Sequence, residues 1–178
     1  MKITDFRAIP LRGETPEAGW SRGTDPRENL YTLIEVSTDE GLSGIGSSFT
    51  TASLVASSLD VLRPFVIGEE ALEPERVTET LHQTSYWWGR GGAITTTIGG
   101  IDIALWDILS QATGLTLGQL LGGRYRDRIP AYASLLFADP PVLRERLEEA
   151  GGHGFRAVKL VWNQFGRAGP DRAKGGPG

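Results

Sequence analysis

The sequence contains no cysteine, and it has no apolar run that approaches the roughly 20 residues of a membrane-spanning helix. Without cysteine, disulfide bonds and thiolate chemistry are excluded, which suits a cytoplasmic protein. Met1 leads directly into an alternating pattern instead of a basic region and an apolar run, so we expect no signal peptide. The 18 lysines and arginines are scattered among 22 acidic residues, so no basic stripe indicates nucleic-acid binding. We therefore expect neither a nucleic acid nor a membrane as partner.

The chain is also short for a barrel enzyme. Its 178 residues suffice for one ordinary domain with a sizeable core. A complete eight-fold β/α barrel needs about 250 residues by itself, so any barrel in this chain is partial. The hydrophobic fraction of 39% and the net charge of −4 are those of a globular protein and do not favour disorder.

The segment Gly91–Arg128 predicts the central element of the fold. Its apolar residues recur in steps of four and three, the spacing that lines one face of an α-helix: Ile94, Ile98, Ile101, Leu105, Ile108 and Ala112. Gly91 and Gly92 precede this helix and Gly114 follows it, so both of its ends are indicated. A second short helix is predicted at Leu117–Leu121, after which the pattern changes from helix to strand.

The residues before this segment predict a small antiparallel sheet followed by helices, which is the α+β order. The predicted strands are Lys2–Leu11, Leu30–Ser37 and Leu42–Ser48, the last two joined by a turn that ends at Gly41. The predicted helices are Ser53–Phe65, which Pro64 ends or bends, and Pro74–Trp88. The polar segment 13–29, rich in glycine and proline, is predicted to be a mobile loop.

The residues after this segment predict one βαβ unit. It consists of strand Ile129–Ser134, helix Pro140–Ala150 and strand Phe155–Trp162. The last residues contain nothing apolar larger than alanine or proline and are expected to be disordered. We therefore divide the chain into domain 1–128, barrel strands 129–167 and tail 168–178.

Three separated blocks carry a family resemblance: IGGIDIALWDILSQATGLTLGQLLGG, then RIPAYAS, then GFRAVKLVW. In this order they resemble the mandelate racemase and muconate lactonizing enzyme relatives, a branch of the enolase superfamily. The resemblance implies an α+β capping domain, with a three-stranded antiparallel sheet and a helical bundle, followed by a partial β/α barrel. In full-length relatives the barrel binds Mg²⁺ and abstracts the proton next to a substrate carboxylate.

Within this resemblance Lys159 is the candidate catalytic residue. GFRAVK places it near the C-terminal end of the second barrel strand, the rim where barrel enzymes carry their chemistry. Racemase-like relatives end this strand in Lys-x-Lys, whose first lysine helps to hold the substrate carboxylate and whose second can be the base. Lys159 matches the first, and Val161 stands at the second, which argues against a lysine base. From spacing alone, a solvated lysine at a strand end is the alternative.

The run KLVWNQFGR resembles the same strand end in acid-sugar dehydratases of the family. The resemblance implies that Trp162 walls the sugar pocket and that Asn163 offers hydrogen bonds to substrate. The alternative for Trp162 is that it packs under the next helix.

Two segments match the capping-domain loops that close over the barrel mouth, namely 13–29 and 46–53. Closure strengthens charge interactions with an enolate because it expels water. The candidate substrate-binding residues on these loops are Trp20, Arg22, Phe49 and Thr50. Arg22 suits a carboxylate or a sugar hydroxyl. The alternative for each residue is a solvated loop position.

No metal-ligating residues are predicted in this chain. Asp102 and Asp107 share one helix, but five helical positions turn them about 140° apart, so they cannot clamp one ion. We expect one or both to tie the helix to neighbouring backbone or to an arginine. The resemblance places the magnesium ligands on the third to fifth barrel strands and the base or acid on the sixth and seventh, so this chain has no complete Mg²⁺ site.

The resulting hypothesis is a truncated family member that is inactive alone, whose full-length relatives carry out magnesium-dependent lyase or isomerase chemistry. The favoured reaction is acid-sugar dehydration, with a small carboxylate or acid sugar as substrate. The alternative is a non-catalytic capping or oligomerisation module with a vestigial barrel segment. The strand Phe155–Trp162 lacks neighbours that would cover it, so we expect a homo-oligomer or aggregation through this strand.

Overall fold

The structure, a computed structural model, describes residues 1–11 and 31–161. These residues form two compact units, which comprise 1–11 with 31–124 and 125–161. The elements of the first unit are β1 (Ile3–Pro10), β2 (Thr32–Thr38), β3 (Ser43–Ser48), α1 (Ala52–Leu62), α2 (Pro74–Thr84), α3 (Gly92–Thr113) and α4 (Leu117–Leu120). Those of the second are β4 (Ala133–Leu136), α5 (Pro140–Gly152) and β5 (Val158–Val161).

The three strands of the first unit form an antiparallel sheet in the order β1-β2-β3, as predicted. The hairpin between β2 and β3 turns at Gly41, whose φ of 83° lies in the left-handed region. In β1 the register shifts between Ile3 and Asp5. This irregularity brings Ile3 and Phe6, which are three residues apart, to the same buried side of the sheet.

Helix α3 is the core element of the first unit. It ends at Gly114, which has the left-handed conformation (φ 67°) that stops many helices. Its fully buried side chains pack with the sheet and with α1 and α2 in one core: Ile98, Ile101, Leu105 and Ile108. By length and composition α3 could cross a membrane, which is weak evidence for one helix, and in this structure its buried face packs in the core of the first unit.

The prediction that Ala112 belongs to the buried face was wrong, because Ala112 is exposed. The preceding residue, Gln111, donates a hydrogen bond from Nε2 to the carbonyl oxygen of Ser43 at 2.8 Å. Since Ser43 is the first residue of β3, the last turn of α3 extends past the sheet and has no strand to pack on.

Strand β3 packs against α3 through glycines. A methyl group added at Gly46 would overlap the carbonyl oxygen of Gly100, and one added at Gly44 would overlap that of Ala104. The two backbones therefore approach each other more closely than any side chain on these two strand positions would permit.

Two predicted helices end earlier than expected. Helix α1 ends at Leu62, and a 3₁₀ turn at Arg63–Phe65, around Pro64, follows it. Helix α2 ends at Thr84 instead of Trp88, and Tyr86–Trp88 form a second 3₁₀ turn. Gly89, which follows this turn, has a φ of 95°.

The second unit is the predicted βαβ unit, with β4 and β5 paired in parallel. Its first strand begins at Ala133, so the predicted start at Ile129 was wrong; Pro130 has no N–H to donate to a ladder. The second strand begins at Val158 instead of Phe155, because the Phe155 N–H donates to the carbonyl oxygen of Ala150 and thereby closes the end of α5.

Candidate functional site

Lys159 lies in β5, directly opposite Ser134 of β4. Both strands run in parallel, so their carboxyl ends lie at the same edge, which is the functional edge of a β/α barrel. Lys159 is exposed, and its side chain forms no hydrogen bond or ion pair with the described residues. Its ammonium group is therefore available to an anionic group of a ligand.

The residue two positions after Lys159 is Val161, whose backbone pairs with Leu136. A valine side chain has no group that takes up a proton. The described part of this strand therefore offers one cation, suited to holding a carboxylate, and no lysine base.

Phe49 and Thr50 lie in the three-residue connector between β3 and α1. The loop predicted at 46–53 is thus shorter, because β3 continues to Ser48 and α1 begins at Ala52. The carbonyl oxygen of Thr50 accepts a hydrogen bond from Oγ1 of the buried Thr32 at 2.9 Å. This bond ties the connector to the sheet, and Phe49 beside it is 51% exposed.

The Phe49 ring has a partner that the sequence analysis missed. Its centroid lies 5.0 Å from that of Tyr31, with the two rings inclined at 64°, an edge-to-face arrangement. Tyr31 is 56% exposed, so the two rings together present an aromatic surface beside Thr50. The only signal in the sequence was an aromatic residue just before β2, which does not indicate a contact with a residue 18 positions later.

The other four candidates, Trp20, Arg22, Trp162 and Asn163, lie outside the described residues, as do the tail 168–178 and the segment 13–29. The structure thus brings Phe49 and Thr50 together in one connector of the first unit. Lys159 belongs to the second unit.

The two aspartates of α3 have structural partners. The carboxylate of Asp107 accepts a hydrogen bond from the backbone N–H of Ile45 at 2.9 Å, which confirms the expected tie to neighbouring backbone. The carboxylate of Asp102 accepts one from the Thr78 hydroxyl of α2 at 2.9 Å. Their carboxylates therefore anchor β3 and α2 to opposite sides of the central helix.

The described acidic residues do not fit the magnesium ion that the family resemblance implies. Within the described residues no group of three or more His, Asp or Glu side chains is arranged to hold a metal ion. Asp102 and Asp107 bind different partners on different elements, and a site for Mg²⁺ needs several oxygen ligands around one point.

Surface ion pairs account for the clearest pKa shifts among the carboxyl groups. A hydrogen bond from the Arg63 guanidinium to Asp5, at 2.5 Å, lowers the pKa of the Asp5 carboxyl. A hydrogen bond from the amino group of Met1 likewise lowers the pKa of Glu70. Both pairs join the first five residues of the chain to the segment after α1, so these shifts report the assembly of the first unit rather than a reactive group.

Comparison with known proteins places this geometry in a family. Residues 16–122, more than half of the chain, match the family described as the mandelate racemase / muconate lactonizing enzyme, N-terminal domain. A D-mannonate dehydratase from Rhizorhabdus wittichii is 38% identical over 165 residues, which are 89% of this chain and 37% of that protein. A D-galactonate dehydratase family member from Paenibacillus sp. is 33% identical over 148 residues, 80% of this chain and 36% of that protein.

The structural comparison agrees with the sequence comparison. The 3,6-anhydro-D-galactonate cycloisomerase from Zobellia galactanivorans superimposes with a TM-score of 0.73 at 26% identity, covering 90% of this chain and 42% of that protein. The chain thus spans between 36% and 42% of the length of these three proteins. Its sheet and helices are the capping domain of an enolase-type protein and its βαβ unit is the start of a β/α barrel, so the chain belongs to the mandelate racemase / muconate lactonizing enzyme family of the enolase superfamily.

Proposed function

We propose that this protein binds the carboxylate of an acid sugar as part of a dehydratase-type member of its family. The observation that carries the proposal is Lys159, an exposed and unpaired cation on a parallel strand that begins a β/α barrel. An ammonium group forms charge-assisted hydrogen bonds with a carboxylate, and these are the strong class of hydrogen bond. The names of the two sequence relatives, a D-mannonate and a D-galactonate dehydratase family protein, favour acid sugars.

The first unit offers exposed residues that suit a sugar. The exposed rings of Phe49 and Tyr31 offer an apolar surface to the C–H faces of a sugar chain. Trp20 and Arg22 remain proposed substrate residues on the segment before β2, and Trp162 and Asn163 remain proposed ones after β5. A cytoplasmic location remains proposed with this function.

Proton abstraction next to the carboxylate requires stabilisation of the developing negative charge, a role that a metal ion fills in this chemistry. Because the described acidic residues form no such site, we derive no chemical step from them. We propose that magnesium ligands and a base on further barrel strands complete the enzyme and that this chain alone does not turn over substrate.

The test is isothermal titration of the 178-residue chain with D-mannonate and D-galactonate, each with and without Mg²⁺. We expect Lys159→Gln to weaken carboxylate binding about 10-fold, because a hydrogen bond to a charged group contributes roughly 1.5 kcal/mol or more. Arg144→Gln is the matched control, since Arg144 is an exposed cation of the same unit that forms no ion pair with the described residues. Equal affinity of the Lys159→Gln variant, or one-to-one Mg²⁺ binding by the chain alone, would contradict the proposal.

A second candidate function is a non-catalytic module that associates with other copies. The observation that favours it is the exposure of apolar side chains in β5, where Val158 is 42% and Leu160 is 37% exposed. A parallel strand normally has both faces covered, so this surface is available for association. Association without any carboxylate binding would favour this function over the first.

A further inference from the structure

Two buried hydroxyl groups of the first unit have no hydrogen-bond partner among the described residues. Ser48, the last residue of β3, is 2% exposed, and Thr97, in the second turn of α3, is fully buried. Neither Oγ of Ser48 nor Oγ1 of Thr97 forms a hydrogen bond with any described residue. We propose that these two hydroxyls bind one water molecule between β3 and α3, and that this bridge positions the connector that carries Phe49 and Thr50.

The alignment of β3 on α3 brings the two hydroxyls to the same place. Gly46 lies against Gly100, and the strand residue two positions earlier lies against Ala104. These steps match in length, because two strand residues advance about 6.6 Å and four helix residues about 6 Å. The next step on the same face of the strand leads to Ser48, and on the helix it leads to the turn that contains Thr97. The two buried hydroxyls therefore meet at one point of the strand–helix contact.

Thr97 also differs from other threonines in the helices of this chain. Four of them donate their hydroxyl to a backbone carbonyl oxygen four residues earlier: Thr80, Thr84, Thr96 and Thr113. Such bonds within the helix are the usual way in which a helical threonine satisfies its hydroxyl. Thr97 makes no such bond, so both its donor and its acceptor capacity are open to a partner from the interior.

The surroundings of the two hydroxyls favour a neutral ligand. Among the described residues no charged side chain is buried, so an ion held between β3 and α3 would lack a counter-charge. Water is neutral, and it both donates and accepts hydrogen bonds, as each hydroxyl does. Buried waters typically bind about two to four polar groups that otherwise lack partners. Because a buried hydroxyl without any partner destabilises the fold, binding one water at this point stabilises it.

The bridge acts on the connector because Ser48 directly precedes Phe49. Thr32, which pairs with Ser48 in the sheet register, already donates a hydrogen bond to the carbonyl oxygen of Thr50. The connector is thus held to the sheet by Thr32 and, through the water, to the helix by Thr97. Two points of attachment restrict the motion of the Phe49 ring. The water site itself does not depend on the substrate of the proposed function.

A double-mutant cycle in urea unfolding of the full chain tests the bridge. Ser48→Ala and Thr97→Val each remove one hydroxyl and leave the other without its partner, so each should raise the unfolding equilibrium constant about 5–30-fold. The double variant removes both hydroxyls and should be less destabilised than the sum of the two single effects. If the hydroxyls bind nothing, each substitution removes an unsatisfied group. Unchanged or higher urea midpoints, or strictly additive effects, would therefore overturn the proposal.

The neighbouring threonine provides the matched control. Thr96 is exposed, lies on the same helix, and donates its hydroxyl to the carbonyl oxygen of Gly92 at 3.1 Å. Thr96→Val should change the urea midpoint less than Thr97→Val does, and it should show no coupling with Ser48→Ala. Thr97→Ser retains the hydroxyl and should retain the coupling. A coupling of Thr96→Val with Ser48→Ala as large as that of Thr97→Val would overturn the proposal.

A high-resolution crystal structure of the full chain identifies the ligand directly. We expect one water molecule at about 2.8 Å from both Oγ of Ser48 and Oγ1 of Thr97, the usual distance of such bonds. In Thr97→Val this water should be absent. No water at this point in the native chain, or the same water in the variant, would contradict the bridge.

Hydrogen exchange followed by mass spectrometry tests the positioning role. Thr97→Val should accelerate exchange in the connector 49–51 more than in the hairpin turn 39–42, because the connector loses its attachment to α3 and the hairpin lies at the opposite end of β3. Thr96→Val should leave both segments unchanged. Equal acceleration of the two segments would show that the substitution loosens the whole unit and would overturn the positioning role.

Discussion

Replacing Gly46 by alanine tests the close packing of β3 on α3. The three heavy atoms nearest to the added methyl group all belong to the helix backbone: the carbonyl oxygen of Gly100, its carbonyl carbon at 2.8 Å, and the amide nitrogen of Ala104 at 3.1 Å. Backbone atoms of a helix cannot rotate aside as a side chain can, so the strand must move away from the core. We therefore expect a substantial loss of stability.

The size of the loss follows from two opposing effects. Overpacking a core typically destabilises by about 1–3 kcal/mol, and occasionally more. Gly46→Ala belongs at the upper end, because the displaced strand also loses the Asp107 contact to the neighbouring Ile45 N–H. Replacing a strand glycine by alanine also stabilises the folded state by roughly 0.5–1 kcal/mol at most, because glycine loses more conformational freedom on folding. We expect a net loss of about 2–3 kcal/mol, which lowers the melting temperature of a domain of this size by roughly 10 °C.

The assay is urea unfolding of the full chain, followed by tryptophan fluorescence and by far-ultraviolet circular dichroism, so that coincident transitions check two-state behaviour. Gly99→Ala is the internal control: Gly99 lies in α3, is exposed, and a methyl group there would meet nothing within 4 Å. This control should stabilise the protein by up to about 1 kcal/mol, the helix-propensity difference. Equal midpoints for Gly46→Ala and the native chain would refute the packing argument.

Three further predictions concern the core, an ion pair and the barrel strands. Leu105→Ala removes a fully buried side chain of α3 and should destabilise by about 2–5 kcal/mol; an unchanged urea midpoint would contradict its place in the core. Asp5→Asn breaks the ion pair with Arg63 and should destabilise by roughly 0.2–1 kcal/mol at pH 7. The pKa of Asp5 is lower in the folded state, so this stabilisation is complete above the unfolded-state pKa of about 4 and is lost as the pH falls through the folded-state pKa. The difference in urea midpoint between the native chain and the variant should therefore vanish toward pH 2. The full chain should associate in light scattering and a chain ending at Arg128 should not, because the exposed apolar residues of β5 are then absent; a monodisperse monomer of the full chain would refute this.

The candidate site was predictable where the pattern is local to one element. The place of Lys159 in a strand follows from the run GFRAVK, and a tie from Asp102 or Asp107 to neighbouring backbone was expected, which the structure shows for Asp107. The partner itself, the N–H of Ile45, lies 62 residues earlier in the chain. Neither this pairing nor the contact between Tyr31 and Phe49 follows from spacing, because both depend on how the sheet and the connector are placed.

The amino-acid sequence by itself determined the order of strands and helices, the central helix with its stop at Gly114, and the hairpin turn at Gly41, because these depend on periodicity and on the φ that glycine permits. Only the tertiary structure decided that Ala112 is exposed, that Gly46 must be glycine, and that the Asp107 carboxylate pairs with the N–H of Ile45. The physical reason is that burial, close approach and hydrogen-bond satisfaction are properties of pairs of elements, and a pattern within one element does not record what packs against it.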